Sequence, residues 1–260
     1  MSVQRLKKIL VVCKHPENSK ESSVCKLIIK EGFEVRYAWK NTLTRKELSG
    51  IDFVVSIGGD GTALTASHYL TDIPLLAVNS DPKKSEGALT TLNADELMDK
   101  LEEISKGNYK IEKLERIESH INGKKLDMLA LNDVFVANEK AHLVSKYRIK
   151  IIDGRTIEEE QRSSGIIFST GIGSTAWFSS AGGKPFSPHA RYIELIIREP
   201  YFGRLGKFSL VKTKLEEKES VEVRPESDFV GAIDSIREFK LKVSDVLKIR
   251  ISDFPLLRIR

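Results

Sequence analysis

Asp52-Phe53-Val54-Val55-Ser56-Ile57-Gly58-Gly59-Asp60-Gly61-Thr62 is the stretch on which the fold turns. Its apolar part, Asp52–Ile57, reads as a buried strand that flows straight into Gly58, Gly59 and Gly61. Thr62–Leu70 then reads as a helix and Pro74–Val78 as the next strand. Glycines here let the backbone take positive φ angles and approach a ligand closely. The amides that open the helix favour a phosphate, and ligands of open α/β sheets sit beyond the carboxyl ends of the strands. Asp60 separates this loop from a plain turn. A carboxylate in a phosphate cradle is costly unless it binds a metal or takes a proton from a reacting hydroxyl. The spacing is neither GxxxxGK[ST] nor GxGxxG. On local spacing alone, a turn without chemistry stays open.

On either side of this unit the pattern repeats. Lys8–Cys13 and Phe33–Trp39 read as strands, Glu21–Glu31 as a helix stopped by Gly32, and Ala94–Lys106 as an amphipathic helix ending at Gly107. Strand and helix in alternation predict a parallel sheet. Beyond Gly107 the pattern turns antiparallel. Tyr109–Ile117 and Lys125–Leu131 flank Asn122-Gly123, and Tyr147–Ile152 and Thr156–Gln161 flank Asp153-Gly154, two hairpin signals. Short strands follow at Tyr192–Ile197, Phe208–Val211, Ser220–Arg224 and Phe239–Ile251. The expected fold class is an α/β parallel-sheet nucleotide-binding domain over 1–107 and an all-β sandwich over 108–239. The last strands, about 240–260, are free to return to the first domain.

Composition narrows the classes. The 260 residues are 40% hydrophobic and 30% charged, with 17 Gly and 8 Pro, which excludes collagen, low-complexity disorder and a bare coiled coil. No apolar run approaches the ~18 residues of a membrane helix. Neither a signal-peptide core nor an Arg-rich presequence is visible, so a cytoplasmic protein with no membrane partner is expected. The net charge of +5 suits an anionic ligand. Basic and acidic residues are interspersed, however, as a mixed solvated surface, and no nucleic-acid partner is expected. Cys13 and Cys25 lie in apolar stretches and read as buried thiols. No His, Cys or carboxylate cluster has ligand spacing, so no permanent metal site is expected.

Two further segments bear on chemistry. Ser163–Gly183 carries a high density of hydroxyls and glycines, with a helix-like interruption at Ser174–Ala181. Hydroxyl and backbone donors at a helix start suit a nucleotide, although a simple loop has the same composition. Asn132-Asp133 is a polar pair between two apolar runs, either a turn or bulge or a ribose- or base-binding pair.

Together the three segments resemble the NAD kinase (ATP-NAD kinase) family: Gly58–Thr62 as GGDGT, Asn132-Asp133 as the Asn-Glu pair, and Ser169–Gly183 as the Gly-Ser-Thr-Ala-aromatic segment. The likeness runs from about residue 8 to the C-terminus. It implies the two domains read above, with the site between them, and transfer of the γ-phosphoryl of ATP to the 2′-hydroxyl of the adenosine ribose of NAD. It makes Asp60 the catalytic carboxylate and puts Gly58, Gly59, Gly61 and Thr62 in the nucleotide cradle. Asn132 and Asp133 would hydrogen-bond the dinucleotide, Arg162 and Ser164 would contact it, and Thr175, Ala176, Trp177 and Ser180 would line its pocket, partly from a neighbouring subunit of a homodimer or homotetramer. Mg²⁺ would arrive with ATP. Asp133 stands in place of Glu, Ser164 in place of a frequent Asp, and Trp177 in place of Tyr. Asn79–Gly87 replaces the usual Asn-x-Gly-x-Leu-Gly-Phe. These departures resemble the mitochondrial-type branch. Lys83 and Lys84 would attract phosphate oxygens or stand as a solvated pair. A lipid kinase sharing GGDGT, or a non-catalytic NAD-binding regulator, is the competing reading.

Overall fold

The computed structural model describes residues 6–14, 28, 32–83, 87–90, 92–203 and 208–260. The predicted helix Glu21–Glu31, apart from Ile28, and with it Cys25, falls outside them, as does Lys84. The chain divides into two units: Met1–Lys113 with Leu256–Arg260, and Leu114–Pro255.

In the first unit the strands are β1 (Lys8–Cys13), β2 (Glu34–Trp39), β3 (Phe53–Gly58), β4 (Leu75–Asn79), β5 (Leu92–Asn93) and β6 (Ile111–Leu114), which reaches the unit's edge. The central three are near-continuous runs of Val, Ile and Leu because both faces are covered. Two helices are described, α1 (Asp60–Ser67) and α2 (Leu97–Ser105). Gly107, at φ 79°, ends α2: its N–H donates to Ile104 and that of Asn108 to Glu103, the 5→2 and 6→1 pair of a glycine-stopped helix. The strand order is β2-β1-β3-β4, then the C-terminal strand Leu256–Ile259, then β6. Pairing from β2 through β4 is parallel. The chain moves outward from β1 to β2 and then back across to β3, so the sheet's switch point lies between β1 and β3. The loop after β3 opens there.

The second unit holds β7 (Ile117–Ile121), β8 (Lys124–Lys125), β9 (Asp133–Asn138), β10 (Ser145–Ile152), β11 (Ile157–Ser163), β12 (Gly165–Ser169) and β13 (Tyr192–Arg198). It continues with β14 (Lys212–Glu216), β15 (Ser220–Pro225), β16 (Phe229–Ile233), β17 (Arg237–Leu241) and β18 (Leu247–Ile251). They form two antiparallel sheets, β11-β10-β15-β18-β7-β8 and β14-β13-β12-β9-β16-β17. Alternate residues of both, among them Val134, Val136, Ile149, Ile166, Phe168, Val223 and Ile249, share one buried core. Asn122 and Gly123 take φ 52° and 80°, the two-residue hairpin turn their sequence predicts.

The structure departs from the expectations at several points: Tyr109–Ile117 is split between β6 and β7, and Lys125–Leu131 is not a strand beyond Lys125. The boundary at Gly107 is early, because Lys110 and Arg260 exchange both backbone hydrogen bonds and keep β6 in the first sheet. Of residues 240–260 only Leu256–Arg260 return to the first unit. Phe239–Ile251 is two strands in different sheets, since Asp245 accepts from the Lys242 amide and from Asn122 and pins a turn between them. Phe208–Val211 is not a strand; the strand begins at Lys212. No described helix is long and apolar enough to cross a membrane.

Candidate active site

In the first unit, Gly58 ends β3 at φ 155°, and a Cβ there would lie 2.4 Å from Thr62 Oγ1. Only glycine allows the helix to start so close to the strand. Gly59 occupies the position before the first turn, and no side chain caps that end. Every residue from Thr62 to Ser67 is buried, Asp60 is half-buried and Gly61 exposed. A Cβ on Gly61 would meet nothing within 4 Å. A helical glycine costs about 0.5–1 kcal/mol relative to alanine, and no packing among the described residues requires this one. The open space at Gly61 therefore leaves room for a ligand at the positive end of the helix.

Asp60 is held in place. Oδ2 accepts from the Ala88 amide at 2.9 Å, and Oδ1 from the amides of Leu89 at 2.9 Å and Thr90 at 3.2 Å. The Leu89 carbonyl in turn accepts from Arg258 on the C-terminal strand at 3.3 Å. Arg258, 4% exposed, forks onto Glu112 with Nε and Nη2 both at 2.7 Å. Sequence reading gave Asp60 chemistry alone, whereas the structure adds a tie to 88–90. Asn79, at the end of β4, accepts from the Asp81 amide at 3.1 Å, and Lys83 beyond it is exposed.

In the second unit, β12 and β9 pair so that Ser169 faces Asp133. The loop after β12 and the residue before β9 therefore meet. Thr170 donates its amide to Asn132 O at 3.0 Å and its hydroxyl to Leu131 O at 2.5 Å. A Cβ on Gly173 would lie 2.1 Å from Asn132 O, so that glycine is what lets the two segments touch. The predicted helix Ser174–Ala181 is a 3-10 turn, Gly173–Thr175, followed by one α turn, Trp177–Ser180. Ser174 is buried and structural, bonded to Gly171 O and the Phe186 amide. Thr175, Ala176 and Ser180 are exposed, and Trp177 is half-buried.

Asp133 is 4% exposed, and among the described residues neither its Oδ1 nor Oδ1 of Asn132 has a hydrogen-bond partner. Burial, and then the neighbouring Asp234 charge, push the Asp133 carboxyl up to about 7. Sequence reading missed Asp234. Its carboxylate accepts from the amides of Leu131 at 2.9 Å, Asn132 at 2.7 Å and Asp133 at 3.0 Å. Only the β16–β17 turn brings it there, from about a hundred residues away. Phe135 and Arg198 were missed as well. The Phe135 and Trp177 rings lie 4.7 Å apart, and the Arg198 guanidinium sits 5.5 Å over Trp177. Phe135 and Trp177 line a cavity of about 580 Å³ with Ala232 and Ser235–Glu238.

Arg162 and Ser164 lie away from Asn132 and Asp133, at the far end of β12. Both are exposed at the β11–β12 corner, where their backbones bond Tyr201 and Arg198. Ser164 and Thr170 flank the whole of β12, which puts them roughly 20 Å apart at ~3.3 Å per residue.

Two family descriptions match successive parts of the chain. Residues 5–109 match the ATP-NAD kinase N-terminal domain and residues 131–260 the ATP-NAD kinase C-terminal domain. An NAD kinase of Chlorobium limicola is 30% identical over 208 residues, covering 70% of this chain and 71% of that protein. One of Methanosarcina barkeri is 26% identical over 215 residues, 81% of this chain and 74% of the relative. The crystal structure of an NAD kinase from Archaeoglobus fulgidus in complex with ATP superposes with a TM-score of 0.80 at 24% identity, over 97% of this chain and 93% of that one. With both domains matched in order and each motif set in the unit where its chemistry belongs, this chain is a member of the ATP-NAD kinase family.

Proposed function

We propose that the chain, an NAD kinase and so a phosphotransferase by family, moves the γ-phosphoryl of ATP to the 2′-hydroxyl of the adenosine ribose of NAD, with Asp60 as the catalytic carboxylate. The observation that carries this is the α1 start: an exposed, unpacked Gly61 beside a carboxylate held rigidly by three amides. The ribose oxygen forms a bond to the γ-phosphorus, the bridging bond to ADP breaks, and the hydroxyl proton passes to Asp60. A carboxylate is a weak base near neutral pH. In a loose transition state that proton leaves late, so placement matters more than basicity. The glycine-rich turn, Gly58–Thr62, takes phosphate oxygens on its amides.

Mg²⁺ belongs to the substrate as Mg-ATP, where it neutralises the charge of the transferring phosphoryl group. Asn132 and Asp133 take hydroxyls of the dinucleotide, and Thr175, Ala176, Trp177 and Ser180 line its pocket. Arg162 and Ser164, at the other end of β12, serve the pocket of a second copy, which makes a homo-oligomer the working assembly. Incubation of the purified protein with Mg-ATP and NAD should yield NADP and ADP in equal amounts. ADP release that instead requires diacylglycerol or sphingosine would replace this reading with a lipid kinase.

A further inference from the structure

Asp234 and Ser235 form the turn between β16 and β17 with φ 52° and 55°, and the Ile236 amide donates to Ile233 O at 2.9 Å. Such turns favour Asn-Gly or Asp-Gly because both central residues need positive φ. Ser235 bears that conformation without glycine's freedom. Asp234, only 5% exposed, turns its carboxylate back onto three consecutive amides, Leu131, Asn132 and Asp133, and donates its own amide to Asp133 O at 2.9 Å. The backbone under the polar pair is thus gripped from both sides, by Asp234 on one and by Thr170 on the other.

A fold-only account of this grip is incomplete. Two carboxylates, Asp133 and Asp234, are buried side by side, an arrangement that raises the cost of ionising both. An apolar residue at 133 would relieve that cost and continue the strand equally well. What the pair offers instead is two buried oxygens without a partner among the described residues, Oδ1 of Asn132 and Oδ1 of Asp133, at the start of a strand that carries Phe135, which lines the cavity beside Trp177. Buried polar atoms without partners are rare and call for a ligand or water.

We propose that Asp234 is a positioning residue for the dinucleotide: it fixes the backbone of Leu131–Asp133 so that the Oδ1 atoms of Asn132 and Asp133 form one rigid site for two hydroxyls of a ribose. The proposal rests on the reading above that Asn132 and Asp133 bind NAD. Asp234 itself touches no substrate.

The test uses Asp234→Asn, which tolerates the positive φ and keeps one acceptor oxygen, and Asp234→Gly, which keeps the turn but removes the carboxylate. Turnover and calorimetry with NAD and Mg-ATP are compared with wild type. Loss of one well-placed hydroxyl contact is worth about tenfold, so KM and Kd for NAD should rise about tenfold in Asp234→Asn and further in Asp234→Gly. KM for ATP should stay within about twofold, because binding energy common to ground and transition states is lost for one substrate only. The Asp234→Asn effect should shrink when Asn132→Ala and Asp133→Ala are already present, the coupling a shared site requires. A merely structural role would lower the active fraction and leave the KM for NAD alone; that result overturns the proposal. If Asp234→Gly does not fold, Asp234→Asn decides by the same measurements. If Asn132→Ala and Asp133→Ala themselves leave NAD binding intact, the underlying reading fails and takes this proposal with it.

Discussion

Burial beside Asp234 makes Asp133 hold its proton to higher pH in the folded protein than in the unfolded chain, and this should make its replacement by asparagine stabilising in a pH-dependent way. The carboxyl is 4% exposed, lies beside Asp234, and is pushed up to about 7 from 3.8. A raised folded value means the group's contribution is fully present below about pH 4, is lost as pH rises toward 7, and is level above it. About three pH units at 1.36 kcal/mol each amount to ~4 kcal/mol lost by pH 8. Asp133→Asn has the shape of the neutral acid and cannot ionise. Relative to wild type it should gain roughly 2–3 kcal/mol between pH 5 and pH 8. At ~2–4 °C per kcal/mol for a domain of this size, the gap in thermal midpoint should widen by several degrees across that range. Thermal and urea unfolding of both proteins at pH 5, 6, 7 and 8, followed by circular dichroism, measures it. A gap that stays constant with pH, or narrows on the alkaline side, would refute the reasoning, since the difference has no other titrating source at this position. The same variant should bind NAD less well, a stability cost borne at a functional site.

Asp60→Asn should lower kcat for NADP formation by ~10²–10⁴-fold, the usual worth of a general base, with NAD affinity by calorimetry nearly unchanged. It should also lose about 1–3 kcal/mol of stability, because an amide group cannot accept from all three of Ala88, Leu89 and Thr90; near-normal turnover would remove Asp60 from the chemistry. Gly61→Ala should raise the thermal midpoint slightly, by up to ~1 kcal/mol of helix propensity, while raising KM for ATP, because the space its Cβ fills is open. A lower midpoint would show that Gly61 serves the fold. Thr175→Leu sits on an exposed residue and should weaken NAD binding at an unchanged midpoint; unaltered NAD affinity would take this segment out of the pocket.

Much of the fold was legible because local patterns sufficed. The Val- and Ile-rich runs of β1, β3 and β4, the glycines after β3, the stop at Gly107 and the Asn122-Gly123 turn are each set by interactions within a few residues. Asp60 and Gly61 were picked out as candidates in the same way, by adjacency in the chain. What the sequence could not settle depended on distant partners. Whether Phe239–Ile251 made one strand or two rested on Asn122 reaching Asp245 across more than a hundred residues. How the backbone of Asn132-Asp133 is held rested on Thr170 and Asp234, and only the pairing of β12 and β16 with β9 brings those side chains together. Arg258, an unremarkable residue on the last strand, becomes the brace behind the Asp60 loop only when that strand joins β4. Period and glycine placement act locally and are written in order along the chain; the burial that raises the Asp133 carboxyl, and the amides that hold Asp60, exist only once the strands have paired.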